Sequence, residues 1–203
     1  CIRDSQDTEA FAEYKKCENS YNAYVYDQYL QVPDSLKQML TKVLASDSDE
    51  KDSENVTSHI SYDEANTRIT GYLNENITYT EEIDPKNTDA SGENQKTDAK
   101  TGNFVTDFLM TEKKGYSVHY ASAAVLMYRC FGIPARYVEG YLVTPKMAEN
   151  AQDDGTIYVT GKEAHAWVEI YQDGIGWIPM EVTPPYLDKM ERPDFETVSW
   201  QGA

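Results

Sequence analysis

Two stretches of this chain hold residue types that could attack a carbonyl and move a proton. The first is Lys113–Tyr141, KKGYSVHYASAAVLMYRCFGIPARYVEGY. From Val118 to Phe131 nearly every position is apolar or small, which reads as a helix buried on all sides. Gly132 is placed as its C-terminal cap, and Pro134 prevents continuation. Ser117 then stands at the loop-to-helix corner. Free backbone N–H groups and the helix dipole favour negative charge there, whether on a thiolate, an oxyanion or a carboxylate. A nucleophile at this corner would gain donors for a developing oxyanion, the Ser117 N–H among them. Serine is also a favoured N-cap, and a cap needs no chemistry, so on this stretch alone both readings stand.

The second stretch is Gly161–Tyr186, GKEAHAWVEIYQDGIGWIPMEVTPPY. His165 and Trp167 alternate and share one face of a strand. After the Asp173-Gly174 turn, Trp177–Val182 can return as a hairpin, so that His165 and Glu181 face each other across neighbouring strands. A carboxylate so placed would fix the imidazole tautomer and stabilise its charged form, the third-group role in a nucleophile–base–orienter set. His119, two positions past Ser117, points to a different helix face and reads as a structural histidine lining the region. Cys130 reads as a buried small hydrophobe, and His59 as an ordinary surface residue.

The elements that must position these groups fall into a helical half and a stranded half. Thr8–Asn19 is a short amphipathic candidate continued by Tyr21–Leu30 with aromatic spacing. Pro33 breaks the run, and Asp34 and Ser35 can cap a helix through Leu44 with Leu36, Met39, Leu40, Val43 and Leu44 at helical period. Ser61-Tyr-Asp-Glu64 is a capping box opening a helix to about Asn74, with a core stripe of Ala65, Ile69 and Leu73. Ile77–Thr80 is a short strand candidate, and Phe104–Met110 starts another helix. Beyond Gly132, Arg136–Val143, Thr156–Thr160, His165–Tyr171 and Trp177–Val182 read as strands. Helices first and an antiparallel sheet second make an α+β fold. The run SDSDEKDSEN reads as a solvated acidic linker, because it lacks the glycine and terminal glutamate of a calcium-binding loop. Residues 84–103 form a long polar loop.

With 203 residues the chain can build a sizeable core. Its net charge of −17 argues against nucleic acid and against docking on anionic lipid through basic patches. No apolar run approaches the roughly 20 residues of a membrane span, so attachment to a membrane would require segments outside these limits. Three cysteines, Cys1, Cys17 and Cys130, do not make a disulfide framework, although Cys1 and Cys17 could pair if the first helix doubled back. No metal or organic cofactor is implied, since no convincing ligand set stands out.

Four blocks then occur in order: Gly-Tyr-Ser117-Val-His-Tyr-Ala-Ser; Gly132-Ile-Pro-Ala-Arg-Tyr-Val-Glu-Gly140-Tyr141; His165-Ala-Trp167-Val-Glu; and Gly176-Trp177-Ile-Pro-Met-Glu181-Val-Thr183-Pro184. This pattern resembles the transglutaminase-like domain of the papain-like cysteine-enzyme superfamily, in its bacterial membrane-anchored form. The resemblance is firm from Ile69 to Tyr186. It implies a helical lead-in over 1–68, a transglutaminase/papain-like core over 69–186 and a tail over 187–203. It implies acyl transfer to or from an amide: crosslinking, deamidation or peptide hydrolysis. A protein or peptide substrate would be expected, associated with a cell wall or not, on the extracellular side of a bacterial membrane, with no cofactor.

By this resemblance the nucleophile's seat falls on Ser117, the histidine on His165 and the carboxylate on Glu181, with Tyr116, His119 and Trp167 around a substrate cleft. Two positions depart from the family's Cys-His-Asp set. Glutamate keeps the carboxylate on a longer arm. Serine is the severe change, because a hydroxyl must lose its proton as it attacks, whereas a thiol is partly ionised beforehand. Three readings of Ser117 follow: a replacement that silences a cysteine enzyme, a natural domain that keeps its cleft only for binding, or a working Ser-His-Glu triad. The expectation is therefore a weakly active or inactive enzyme, with a peptide-, wall- or partner-binding module as the alternative.

Overall fold

The computed structural model describes residues 8–45, 60–82 and 103–189. The acidic linker, His59, Cys1 with its pairing to Cys17, residues 84–102 of the long loop and the tail beyond 189 lie outside them.

The fold is α+β. Three helices, α1 (Thr8–Tyr29), α2 (Asp34–Leu44) and α3 (Tyr62–Asn76), lead into a two-residue strand β1 (Thr78–Tyr79). A short helix α4 (Phe104–Thr106) widens into a π-turn over Asp107–Glu112, followed by β2 (Lys114–Gly115), which pairs in parallel with β1. Next come the central helix α5 (Ser117–Cys130), β3 (Ala135–Tyr141), a short α6 (Pro145–Glu149), β4 (Ala164–Gln172) and β5 (Gly176–Met180). The three long strands form an antiparallel sheet in the order β3-β4-β5.

One core runs from Leu36 on α2 to Val182 past β5, with α5 at its centre. An expected boundary at residue 68 therefore falls inside α3, whose Ala65, Ile69 and Leu73 all lie in that core. The two tyrosines of α5 that face inward are completely covered, and each hydroxyl finds an acceptor. Tyr120 Oη donates to the Ile77 carbonyl at 3.1 Å, and Tyr128 Oη donates to Asn66 Oδ1 at 2.7 Å. Burial pushes the Tyr120 hydroxyl up to about 12. Arg129 closes the other end of α5, donating from Nε and Nη2 to the Ala135 carbonyl and from Nη1 to the Gln31 carbonyl. In the sheet, Arg136 and Glu169 are cross-strand partners and form a 2.7 Å hydrogen bond, with the guanidinium lying over the Trp177 ring.

Several local expectations need correction. Residues 10–17 are not an amphipathic packing segment: Phe11 and Tyr14 are exposed, and the buried residue of α1 lies in its later half. There Val25 is buried, Tyr171 Oη donates to Asn22 Oδ1, and Trp177 Nε1 donates to Tyr21 Oη. Asp34 and Ser35 do not cap α2: Asp34 is already helical, Pro33 occupies the cap position, and no side chain bonds there. At α3, Ser61 Oγ accepts the Glu64 N–H, but Glu64 turns its carboxylate to Arg68 instead of completing a capping box. Thr156–Thr160 is extended in composition but is not a strand, since it has no partner strand among the described residues and Tyr158 is 71% exposed.

Candidate active site

The corner that carries Ser117 is built by close packing at a glycine. A Cβ on Gly115 would lie 2.8 Å from Cγ of His119, so the chain can pass only as glycine. His119 is held among the Phe104, Phe108 and Tyr116 rings, at centroid distances of 4.8, 5.4 and 4.6 Å. Its Nδ1 accepts the Tyr116 backbone N–H at 3.4 Å, the return half of a cap, with histidine standing at the third helical position. Accepting that bond requires a neutral ring, and burial does lower the His119 pKa. Ser117 is therefore not the cap. Tyr116 occupies that position, and Ser117 is the first residue of α5.

Freed from capping, the Ser117 side chain faces the sheet. Its Oγ accepts the Ala166 N–H at 3.3 Å, from the residue after His165. The N–H of Ser117, in the first turn, has no carbonyl four residues back to bond within the helix.

His165 and Glu181 meet as the hairpin spacing suggests. His165 lies near the start of β4, and Glu181 follows the last residue of β5. His165 Nε2 and Glu181 Oε2 are 2.6 Å apart, both side chains almost wholly buried. The other carboxylate oxygen, Oε1, accepts the N–H groups of Val182 at 2.9 Å and Thr183 at 2.8 Å. A carboxylate on Nε2 makes that nitrogen the hydrogen-bearing one, which leaves the Nδ1 lone pair as the basic position.

Ser117 and His165 line the same cleft of about 740 Å³, with Tyr116 beside them. His119 and Trp167 are not in its lining. His119 supports the wall from behind, and the Trp167 ring lies against Gly140, where a Cβ would come within 2.7 Å of it. Sequence reasoning missed Tyr79, Glu81 and Tyr186, which do line the cleft. Tyr186 packs its ring 4.3 Å from that of His165. The signal for it was Pro184-Pro185, which drives a tight turn after Thr183 and returns the next aromatic onto the histidine. Tyr79 ends β1 and Glu81 lies two residues beyond it, and the pairing of β1 with β2 brings this stretch to the site.

Cys130 is buried, and its thiol is pushed up to about 11 by burial, whereas Cys17 is exposed on α1. Among the described residues no group of three His, Cys, Asp or Glu side chains is placed to hold a metal ion, and no helix is long and apolar enough to cross a membrane.

Comparison with known proteins gives a consistent set of likenesses. A family model described as the transglutaminase-like superfamily matches residues 51–182. The chain is similar to the Bacillus subtilis protein YebA, 30% identical over 171 residues, covering 84% of this chain and 21% of YebA. It is also similar to a protein-glutamine gamma-glutamyltransferase of Pseudomonas aeruginosa, 39% identical over 88 residues, covering 43% of this chain and 12% of that protein. The chain thus spans a small part of these relatives' length. Among solved structures it resembles the periplasmic domain of TgpA from Pseudomonas aeruginosa, with a TM-score of 0.50 and 22% identity, covering 82% of this chain and 48% of that one.

Proposed function

The chain belongs to the transglutaminase-like superfamily, and on that premise we propose that its cleft is an amide acyl-transfer site built from Ser117, His165 and Glu181. The observation that carries this reading is the buried 2.6 Å His165–Glu181 pair, opening on the same cleft as the first residue of α5. In the proposed reaction the residue-117 heteroatom attacks a carboxamide carbon and its proton passes to His165 Nδ1. The N–H of Ser117 steadies the oxyanion as it forms. Collapse expels ammonia or an amine, which takes the proton from His165 and leaves an acyl-enzyme. An amine or a water then resolves that intermediate. Glu181 remains an anion throughout and holds the imidazolium.

With oxygen in the nucleophile's seat the site is proposed to be slow or silent. The hydroxyl already accepts from the Ala166 N–H, and it must be deprotonated as it attacks. A protein or peptide is the proposed substrate, supported by the name of the Pseudomonas aeruginosa glutamyltransferase. A location outside the cytoplasmic membrane, at or near the cell wall, is proposed by analogy with the periplasmic TgpA domain.

The test compares the protein with a Ser117→Cys variant, using amine incorporation into a glutamine-containing protein and labelling by a thiol-directed acylating probe. We expect incorporation to rise on the order of a hundredfold or more with cysteine, and to vanish again on adding His165→Ala. Turnover already present with serine and lost in His165→Ala would make this a serine triad. Silence in both versions, with the fold intact, sinks the acyl-transfer reading and leaves a binding role for the cleft.

A further inference from the structure

Hydrogen bonding holds the His165 ring at one edge. Nε2 lies 2.6 Å from Glu181 Oε2, whereas the Ser117 hydroxyl accepts from the Ala166 N–H at 3.3 Å and not from the imidazole. The torsion that turns an imidazole is intrinsically broad, so a bond at Nε2 does not by itself fix where Nδ1 points. The aim of Nδ1 has to come from what packs on the faces of the ring. Trp167, from the same strand, lies nearly parallel to it at an angle of 18° but 6.5 Å away. Tyr186 comes to 4.3 Å, at 34°, and is the closer of the two.

Tyr186 is fixed by the same turn that carries Glu181. Thr183, wholly buried, gives its N–H to Glu181 Oε1 at 2.8 Å and takes the Tyr186 N–H on its carbonyl at 2.9 Å. The Lys189 N–H closes on the Tyr186 carbonyl at 2.9 Å, and Pro184 and Pro185 stiffen the short helical turn that ends at Tyr186. The Tyr186 ring is braced edge-on by Tyr79, at a centroid distance of 6.1 Å, and by the Lys189 ammonium 4.0 Å from its centre. One stretch, 181–189, therefore sets a carboxylate on the edge of the imidazole and an aromatic ring against its face, and Thr183 ties the two together.

We propose that Tyr186 is a positioning residue: its ring fixes the plane of the His165 imidazole, so that Nδ1 stays aimed at residue 117 while Glu181 holds Nε2. The purpose of that aim rests on the acyl-transfer reading; the grip on the ring does not. Tyr186 also lines the cleft. A residue that only walls the cleft would act on the binding of bulky substrates. A positioning residue acts on the reactivity of residue 117 toward any reagent, however small.

The experiment labels Ser117→Cys protein with iodoacetamide at pH 6, where an unpaired thiol is almost wholly protonated and a thiol paired with imidazole is not. Labelling at residue 117 is followed by peptide mass spectrometry, because Cys17 is exposed as well. Adding His165→Ala should slow it on the order of tenfold or more. Adding Tyr186→Leu should slow it about tenfold, and Tyr186→Phe, which returns the ring, should bring it back. Glu81, Glu139 and Lys162, the charged side chains on the cleft beside His165, are the same in every version. With Ser117 in place, the His165 ring protons should show cross-peaks to a tyrosine ring that Tyr186→Leu abolishes. Tyr186→Met gives the same comparisons should Tyr186→Leu not fold. Labelling indifferent to His165→Ala or to loss of the Tyr186 ring, labelling that Tyr186→Phe fails to restore, or absent cross-peaks would each overturn the proposal. Loss and recovery of labelling without amine incorporation in any version leaves the positioning role standing and defeats the acyl-transfer reading. Amine incorporation that ignores Tyr186 does the reverse.

Discussion

On the strand side of the cleft, Glu181 places both carboxylate oxygens on donors: His165 at 2.6 Å, Val182 at 2.9 Å and Thr183 at 2.8 Å. On the helix side, Ser117 Oγ has one bond at 3.3 Å, from a backbone N–H next to His165 rather than from the imidazole itself. Its corner is held by a 3.4 Å bond and by ring packing around His119. The half proposed to orient the base is built from short bonds anchored in main chain, while the half that carries Ser117 depends on fit. On the proposed reading, this difference means that the His165–Glu181 pair stays in place whatever atom sits at residue 117. A sulfur, with a longer bond to carbon and a larger radius, would reach farther into the cleft from the same backbone.

The largest expected effect lies on the strand side. In the Ser117→Cys background, Glu181→Gln is expected to lower the acyl-transfer rate by about 10³–10⁴-fold. The amide can still accept the Val182 and Thr183 N–H groups, but its NH2 would face His165 Nε2 and force the hydrogen onto Nδ1, the nitrogen proposed to act as base. The fold should survive, so the rate is measured on protein with an unchanged thermal midpoint. A loss of less than tenfold would mean that the strand side is not the fixed half, and the contrast between the halves would collapse.

A smaller effect probes the helix side. Gly115→Ala places a methyl group 2.8 Å from the His119 ring, where three other rings leave the imidazole little room to yield. Overpacking of this kind costs about 1–3 kcal/mol. The denaturation midpoint should fall accordingly. In the Ser117→Cys background kcat should fall more than binding, because the shift is passed to residue 117 through Tyr116. An alanine variant as stable and as fast as its parent would show that the corner is not set by this contact.

The legibility of these two halves in the sequence differs for a physical reason. The strand side is local: an alternating strand, an Asp-Gly turn and a returning strand bring His165 and Glu181 together within 16 residues, and short-range rules read it well. The buried helix α5 was equally plain, since its apolar residues cover every face. The helix side failed by one position, because serine's preference for a cap was outweighed by Gly115 and His119, whose packing starts the helix at Ser117. No local pattern marks a histidine as a capping group. The π-turn at Asp107–Glu112 and the cleft positions of Tyr79 and Tyr186 depend on contacts distant in sequence. Thr156–Thr160 shows the opposite error, strand-like residues with no strand to pair with among the described residues.

The finest test of the comparison is the pH response of the corner. Burial lowers the His119 pKa below its usual value, with the Glu112 carboxylate opposing the shift. Above the unfolded pKa of about 6.5, His119 is neutral in both states and its contribution to stability is fully present. As pH falls through that value the unfolded chain takes up a proton that the folded corner refuses, so stability drops until the lower folded pKa is reached. The slope this one group adds cannot exceed about 1.4 kcal/mol per pH unit. His119→Gln keeps an acceptor for the Tyr116 N–H, glutamine being a usual third residue of a capping box, and has no proton to gain. Denaturant midpoints measured from pH 7.5 down to 5 should therefore fall less steeply in His119→Gln than in the parent. Parallel slopes would mean that the helix side does not depend on a neutral His119, and that its looser hold comes from the rings alone.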